Sequence, residues 1–218
     1  MSDAACSASA IAMDKDMAKR VARDAEIPIV PYVSLKHEVW KKEKQQLAKN
    51  IEEQLGYPVF VKPANLGSSV GVHKVKEPSG LNAALEDAFN YDRKVLVEAA
   101  VNAREIEVSV LENLEAGADP LVSIPGEIDP AHEFYSYEAK YLDEKGAALI
   151  IPAKFDPEET KRAGHWKESF HCARVRRDGS SRSVPGSDKR RIFLQRAQYD
   201  PGFHFHQHVS EIVGSVGD

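Results

Sequence analysis

Cysteine is nearly absent: Cys6 and Cys172 stand far apart with no CxxC spacing. Neither a disulfide framework nor a thiolate zinc site is therefore expected. Long apolar runs are missing too. No stretch approaches the roughly 18 residues of a membrane span, and the opening "MSDAACSASA" lacks the basic start and apolar stretch of a signal peptide. A cytoplasmic protein without membrane contact is expected. The chain also lacks a P-loop, because in "PVFVKPANLGSSVGVHKV" the lysine precedes the glycine and a strand follows, whereas Gly-x-x-x-x-Gly-Lys-Ser/Thr opens a helix. There is no internal repeat and no linker before residue 160.

What is present is a chain of 218 residues, 42% hydrophobic, enough for a core. Its charge is unevenly divided. Residues 1–160 hold 18 Lys+Arg against 28 Asp+Glu, whereas residues 161–218 hold 11 against 6. Such a basic, Ser/Arg-rich tail taken alone would suggest nucleic-acid contact.

Along the chain, "MDKDMAKRVARDAE" (13–26) reads as a helix with Met13, Met17, Val21 and Ala25 on one stripe and Asp14 and Asp16 in its first turn. "IPIVPYVSL" reads as a strand, 36–55 as an amphipathic helix, and "LNAALEDAFNY" as a short helix. Val59, Phe60 and Val61 read as one strand, and Val70, Val72 and Val75 as another beyond the loop. Residues 94–113 give two strands around a kink at 99–103. "LVSIPGEI", "EFYSYEAKYL" and "AALIIPA" add strands, and "DPEETKR" starts a helix. Beyond 165 neither a period of 3.6 nor of 2 is legible. The pattern is α+β with short strands, not a doubly wound sheet.

Four features carry chemistry: Lys15, Lys62 with Gly67-Ser68-Ser69, Glu98 with Glu105, and Tyr137 to Tyr141. Each alone has a bland reading: a solvated lysine, a hairpin turn, an ordinary ion pair between Lys140 and Glu138. Glu98 is harder to dismiss, because it ends the apolar run "VLVE" and a buried carboxylate persists only when paired or hydrogen-bonded. Together they suit a nucleoside triphosphate. Three lysines offset most of a charge of about −4, and backbone N–H groups of a glycine loop close over the terminal phosphates. Residues 98–105 then form a hinge strand offering backbone to adenine and Glu105 to ribose.

"SAIAMDKDMAKRVARDAEIPIVPYVSL", "YPVFVKPANLGSSVGVHKV", "VLVEAAVNAREIEVSVLEN" and "FYSYEAKY…IIPAKFDPEET" closely resemble the central and early C-terminal parts of D-alanine:D-alanine ligases, members of the ATP-grasp group. The resemblance covers residues 9–160. It implies an incomplete ATP-grasp fold, two α+β subdomains around a nucleotide cleft, and a ligase that joins two D-alanines for peptidoglycan precursors with ATP and Mg²⁺. Lys15 and Lys62 would contact inner phosphates, and Gly67, Ser68 and Ser69 the γ-phosphate. Glu98 and the backbone of Val101 would meet adenine, Glu105 the ribose and Lys140 the outer phosphates. Ser68 and Tyr141 would belong to the catalytic hydrogen-bonded group. The resemblance also implies a homodimer. ATP-grasp ligation of another carboxylate, and a non-catalytic ATP-binding remnant, are the alternatives.

The ends depart from the family. The first-substrate domain and the Mg²⁺-binding Asp, Glu and Asn are not legible, so no metal ligand is assigned, and only Pro201-Gly202-Phe203 remains of the motif that holds them. A one-base shift of codons chosen for Gln195 to Asp200 spells N-E-L-N-T-I, the missing metal motif. Residues 172–184 hide a family-like string in the same way, and residues 1–8 one in the opposite shift. Residues 1–8 and 161–218 are therefore expected to be out of the ancestral frame, with activity impaired or absent. His204, His206 and His208, and the basic tail, are then accidents, and no nucleic-acid partner is expected.

Overall fold

The computed structural model describes residues 10–111, 115, 118, 121–130 and 147–156, together with the backbone of 191–200 and 206–215. Helices α1 (Lys15–Asp24), α2 (His37–Leu55) and α3 (Leu81–Tyr91) accompany strands β1 (Tyr32–Lys36), β2 (Val59–Pro63), β3 (His73–Val75) and β4 (Lys94–Ala99). The remaining strands are β5 (Asn102–Leu111), β6 (Leu121–Val122), β7 (Gly126–Pro130), β8 (Ala147–Ile150), β9 (Arg191–Asp200) and β10 (His206–Ser215). The α+β reading holds.

The first sheet runs β1-β4-β2-β3, with every pair antiparallel. Side chains alternate across it. Val59, Val61, Val95 and Val97 are fully buried and join Leu35, Trp40, Ile51 and Leu85 in one core beneath α2 and α3. The other face carries Tyr32, Phe60, Lys62, Lys94, Leu96 and Glu98, and α1 is tied to it by ion pairs. The second sheet runs β8-β7-β5-β10-β9, with β6 also on β5. Its β5 follows β4 after the kink foreseen at 99–103.

Helix α3 and the strand pair β4/β5 match their sequence expectation closely, because strong periodicity and sharp breaks bound them. Four expectations are corrected. Val70 and Val72 lie in turns rather than a strand, since consecutive bonds from Val70 N to Gly67 O (3.0 Å) and Val72 N to Ser69 O (3.2 Å) curl the chain. Strand β1 begins only at Tyr32, after two prolines, Pro28 and Pro31, that donate no backbone hydrogen bond. Within the stretch beyond 165, expected to be unpatterned, residues 191–200 and 206–215 form the antiparallel pair β9/β10, and β10 lies along β5. Pairing on a strand edge rests on backbone bonds, which need no side-chain period.

The fourth correction concerns α1, a helix interrupted at Asp14 rather than continuous over 13–26. Asp14 is its N-cap, accepting from the N–H groups of Asp16 (3.0 Å) and Met17 (3.1 Å). The apolar stripe Met13, Met17 and Val21 is exposed, and the residues α1 buries are Lys15, Asp16, Lys19 and Ala22. A helix turns its polar face inward when the surface it meets is itself charged.

Candidate functional site

Strand β4 places Glu98 between Tyr32 of β1 and Phe60 of β2 in register. The carboxylate is 3% exposed. Lys62 stands opposite Leu96, one diagonal step away, and its Nζ donates to Glu98 Oε2 at 2.6 Å. The other oxygen, Oε1, faces Lys19 Nζ at 3.3 Å, an ion pair that falls short of hydrogen-bond geometry and leaves that ammonium without a hydrogen-bond partner among the described residues. Burial pushes the Glu98 carboxyl upward, but the two ammonium groups outweigh it and hold the group down to about 2. Burial lowers the Lys19 ammonium from its usual value, opposed by Glu98 and reinforced by Lys62. One carboxylate between two cations leaves a surplus buried positive charge, which favours an anion.

Lys15 anchors the start of the adjoining loop. Its Nζ donates to the carbonyls of Pro63 (2.7 Å), Ala64 (3.3 Å) and Leu66 (2.5 Å), and its own N–H to Ala64 O at 2.9 Å. Asp92, at the end of α3, receives the Asn65 N–H and side-chain amide at 2.9 and 2.7 Å. Beyond these ties the chain turns through Ser68 (φ 52°), Ser69 (φ 59°) and Gly71 (φ 64°). Gly67, singled out for its freedom, is not among the left-handed residues. Gly71 is where glycine is required, because a Cβ there would stand 2.6 Å from the Tyr91 ring. Two serines at positive φ cost of the order of 1–3 kcal/mol each and persist only where the surroundings impose them, as functional loops often do.

Around the helix start, Lys94 Nζ reaches Asp14 at 2.6 Å and Asp16 at 3.2 Å, while Arg20 and the Tyr32 hydroxyl donate to Asp16 at 3.0 and 3.1 Å. Burial raises the Asp16 carboxyl, but these donors pull it below its ordinary value. This network locks α1 onto the sheet.

Lys62 and Glu98 thus meet on one face of β2 and β4, while Lys15 and the 65–72 loop stand at the C-terminal end of β2, the end away from Glu98. Val101 lies in the kink, and Glu105 on β5 in the second sheet, opposite Ile128. On β5's other face Arg104 makes a bidentate pair with Glu127, both bonds 2.7 Å. Lys140 and Tyr141 lie outside the described residues, as does His204. Sequence reasoning missed Lys19 and Asp92. Lys19 was legible as one helical turn beyond Lys15, on the same face; Asp92 had no signal. A surface concavity of about 450 Å³ lies against β3 and the start of α3, lined by Lys74, Lys76, Glu77 and Ala83 among others, away from Glu98. The charge cluster, rather than that open hollow, marks the candidate site.

Residues 21–209 match the family model described as D-ala D-ala ligase C-terminus. The chain is 50% identical over 157 residues to D-alanine–D-alanine ligase A of Bradyrhizobium diazoefficiens, covering 71% of this chain and 41% of that protein. It is 47% identical over 197 residues to the D-alanine–D-alanine ligase of Clostridium acetobutylicum, covering 89% of this chain and 56% of the relative. Among solved structures, VanG D-Ala:D-Ser ligase from Enterococcus faecalis superposes with a TM-score of 0.61 at 34% identity, over 76% of this chain and 45% of that one. The chain therefore spans about half the length, or less, of most relatives it matches.

Proposed function

The chain belongs to the D-Ala D-Ala ligase C-terminal family, and from that premise we propose that it carries the nucleotide grip of an ATP-dependent carboxylate–amine ligase acting on D-alanine. The observation behind this is the buried Lys19–Glu98–Lys62 cluster beside a loop with two left-handed serines. Surplus positive charge and a curled run of backbone N–H groups suit a polyphosphate.

In this reading Lys62 exchanges Glu98 for an inner phosphate, freeing the carboxylate for the adenine edge, which the backbone of Val101 also meets. Lys15 serves the inner phosphates as well. Its ammonium has three donors and contacts three carbonyls, so it must give up at least one as the loop moves. Gly67, Ser68 and Ser69 cover the γ-phosphate, Glu105 accepts from the ribose, and Lys140 meets the outer phosphates. Tyr141 and Ser68 form the hydrogen-bonded group near the reacting carboxylate. Transfer of the γ-phosphoryl group to one D-alanine carboxylate gives an acylphosphate that the amine of a second D-alanine attacks; the residues named here bind, orient and neutralise. Mg²⁺ accompanies ATP in this reading. Among the described residues no three His, Cys, Asp or Glu side chains come together to hold it, and no step here runs through it.

The same reading makes the protein cytoplasmic and homodimeric. Among the described residues no helix is long and apolar enough to cross a membrane. We propose also that 1–8 and 161–218 are out of the ancestral frame, which the nucleotide sequence around codons 160–165 and upstream of Met1 decides.

Calorimetry with Mg-ATP, followed by ADP release with D-alanine, tests the function. The 218-residue chain is expected to bind ATP and to turn over slowly or not at all. Failure to bind ATP, or binding unaltered by Lys62→Ala, removes the reading; turnover equal to that of a full-length relative removes the expected impairment.

A further inference from the structure

Lys19 has no task in the scheme above, yet it is the most deeply buried charge of the site, 1% exposed, with its Nζ 3.3 Å from Glu98 Oε1 and no hydrogen-bond partner among the described residues. A lysine held in that condition is costly unless something requires it. Glu98 supplies the requirement. Its two oxygens are divided between two elements: Oε2 to Lys62 on β2, and Oε1 to Lys19 on α1. The groups facing it from the neighbouring strands are the rings of Tyr32 and Phe60, and Tyr32 directs its hydroxyl to Asp16 instead. If Lys62 turns to a phosphate, Lys19 is the cation left beside the carboxylate.

We propose that Lys19 is a positioning residue that keeps Glu98 ionised and in place when Lys62 leaves it for a phosphate, an inference that rests on the nucleotide reading of the site. The two lysines divide the work by how they are mounted. Lys62 is the penultimate residue of its strand, next to a loop curled by positive-φ residues, and can redirect its head. Lys19 lies mid-helix, and α1 is pinned to the sheet through Lys94, Asp14, Asp16 and Tyr32, so its ammonium stays. Without Lys19, a buried Glu98 abandoned by Lys62 takes up a proton. A protonated carboxyl offers a donor where the base's amino group needs an acceptor.

Two measurements on the whole chain separate this from the nucleotide reading itself. In nucleotide-free protein, the ¹³C carboxyl resonance of Glu98, assigned by its loss in Glu98→Gln, is titrated in the Lys62→Met variant, which imitates the departure of Lys62. The signal is expected to stay that of a carboxylate from pH 8 to pH 5; protonation within that range overturns the proposal whatever ATP does. ATP affinity is then compared at pH 8 and pH 5.5 for the unsubstituted chain, Lys19→Met and Lys19→Arg. Lys19→Met is expected to bind ATP about tenfold more weakly than the unsubstituted chain at pH 8 and, because Glu98 then takes up a proton on binding, to recover affinity toward pH 5.5 by up to about tenfold for each unit its pKa rises in the complex; Lys19→Arg is expected to restore the original profile. Equal profiles for all three overturn it. Absence of ATP binding in the unsubstituted chain defeats the nucleotide reading instead, and leaves the carboxyl titration to decide the role of Lys19.

Discussion

On one face of the four-stranded sheet Val59, Val61, Val95 and Val97 are fully buried under α2 and α3; on the other, Lys62 and Glu98, from the same two strands, are 7% and 3% exposed beneath α1. Burial is nearly equal and its physics is opposite. The apolar face gains from every carbon it removes from water, without regard to direction. The charged face gains little net stability from its ion pairs, because desolvation offsets most of their attraction, but losing one partner strands the other. An apolar face tolerates imprecision. A charged one has to be matched group by group, which is why α1 brings Lys19, Asp14 and Asp16 inward and leaves Met13, Met17 and Val21 in solvent.

The hardest blow to this contrast is Glu98→Ala. It leaves two buried ammonium groups facing each other, and a destabilisation of about 3–5 kcal/mol is expected by urea unfolding, with loss of ATP binding. A cost under about 1 kcal/mol would mean the charged face is solvated and the comparison wrong. Leu85→Ala, in the core beneath α3, is expected to cost about 2–4 kcal/mol through its cavity while ATP affinity in the surviving folded protein is unchanged; a shift in affinity would show the two faces are coupled.

Acid separates the faces without mutation. The folded pKa of Glu98, about 2, lies below its ordinary 4.5. Its contribution is therefore fully present above pH 4.5 and is lost as pH falls through 2, by roughly 3 kcal/mol. The unfolding free energy of the native chain, compared with Glu98→Gln between pH 6 and pH 2, is expected to converge toward that of the variant. A difference that does not change with pH would contradict the depressed pKa. Smallest of all, Met17→Gln on the exposed stripe is expected to move stability by no more than about 0.5 kcal/mol; a loss of 2 kcal/mol, by the same urea unfolding, would show that the stripe is covered.

Legibility in the sequence followed the same division. Helix α3, β2 and β4 were readable because apolar periodicity reports burial against an apolar partner. Lys62 and Glu98 were readable because a charge inside an apolar run is costly unless it has work to do. The inward face of α1 was not, since a helix with charges on one side and methionines on the other implies the reverse orientation when its neighbour is unknown. The left-handed backbone at Ser68 and Ser69 was hidden behind Gly67, the residue with the greater freedom. Strands β9 and β10 were hidden because their pairing, β10 on β5 and β9 on β10, is a backbone relation that needs no side-chain period.

From the sequence alone came the class of fold, the apolar side of the first sheet and the lysine and glutamate types a triphosphate site needs, because these depend on local pattern and on the cost of isolated charge. Only the tertiary structure decided which charge meets which: Glu98 divided between Lys19 and Lys62, Lys15 spent on loop carbonyls, and α1 seated on its polar face. Such pairings depend on distances of a few ångströms between residues far apart in the chain, and Coulomb attraction and hydrogen bonding act only once folding has set those distances.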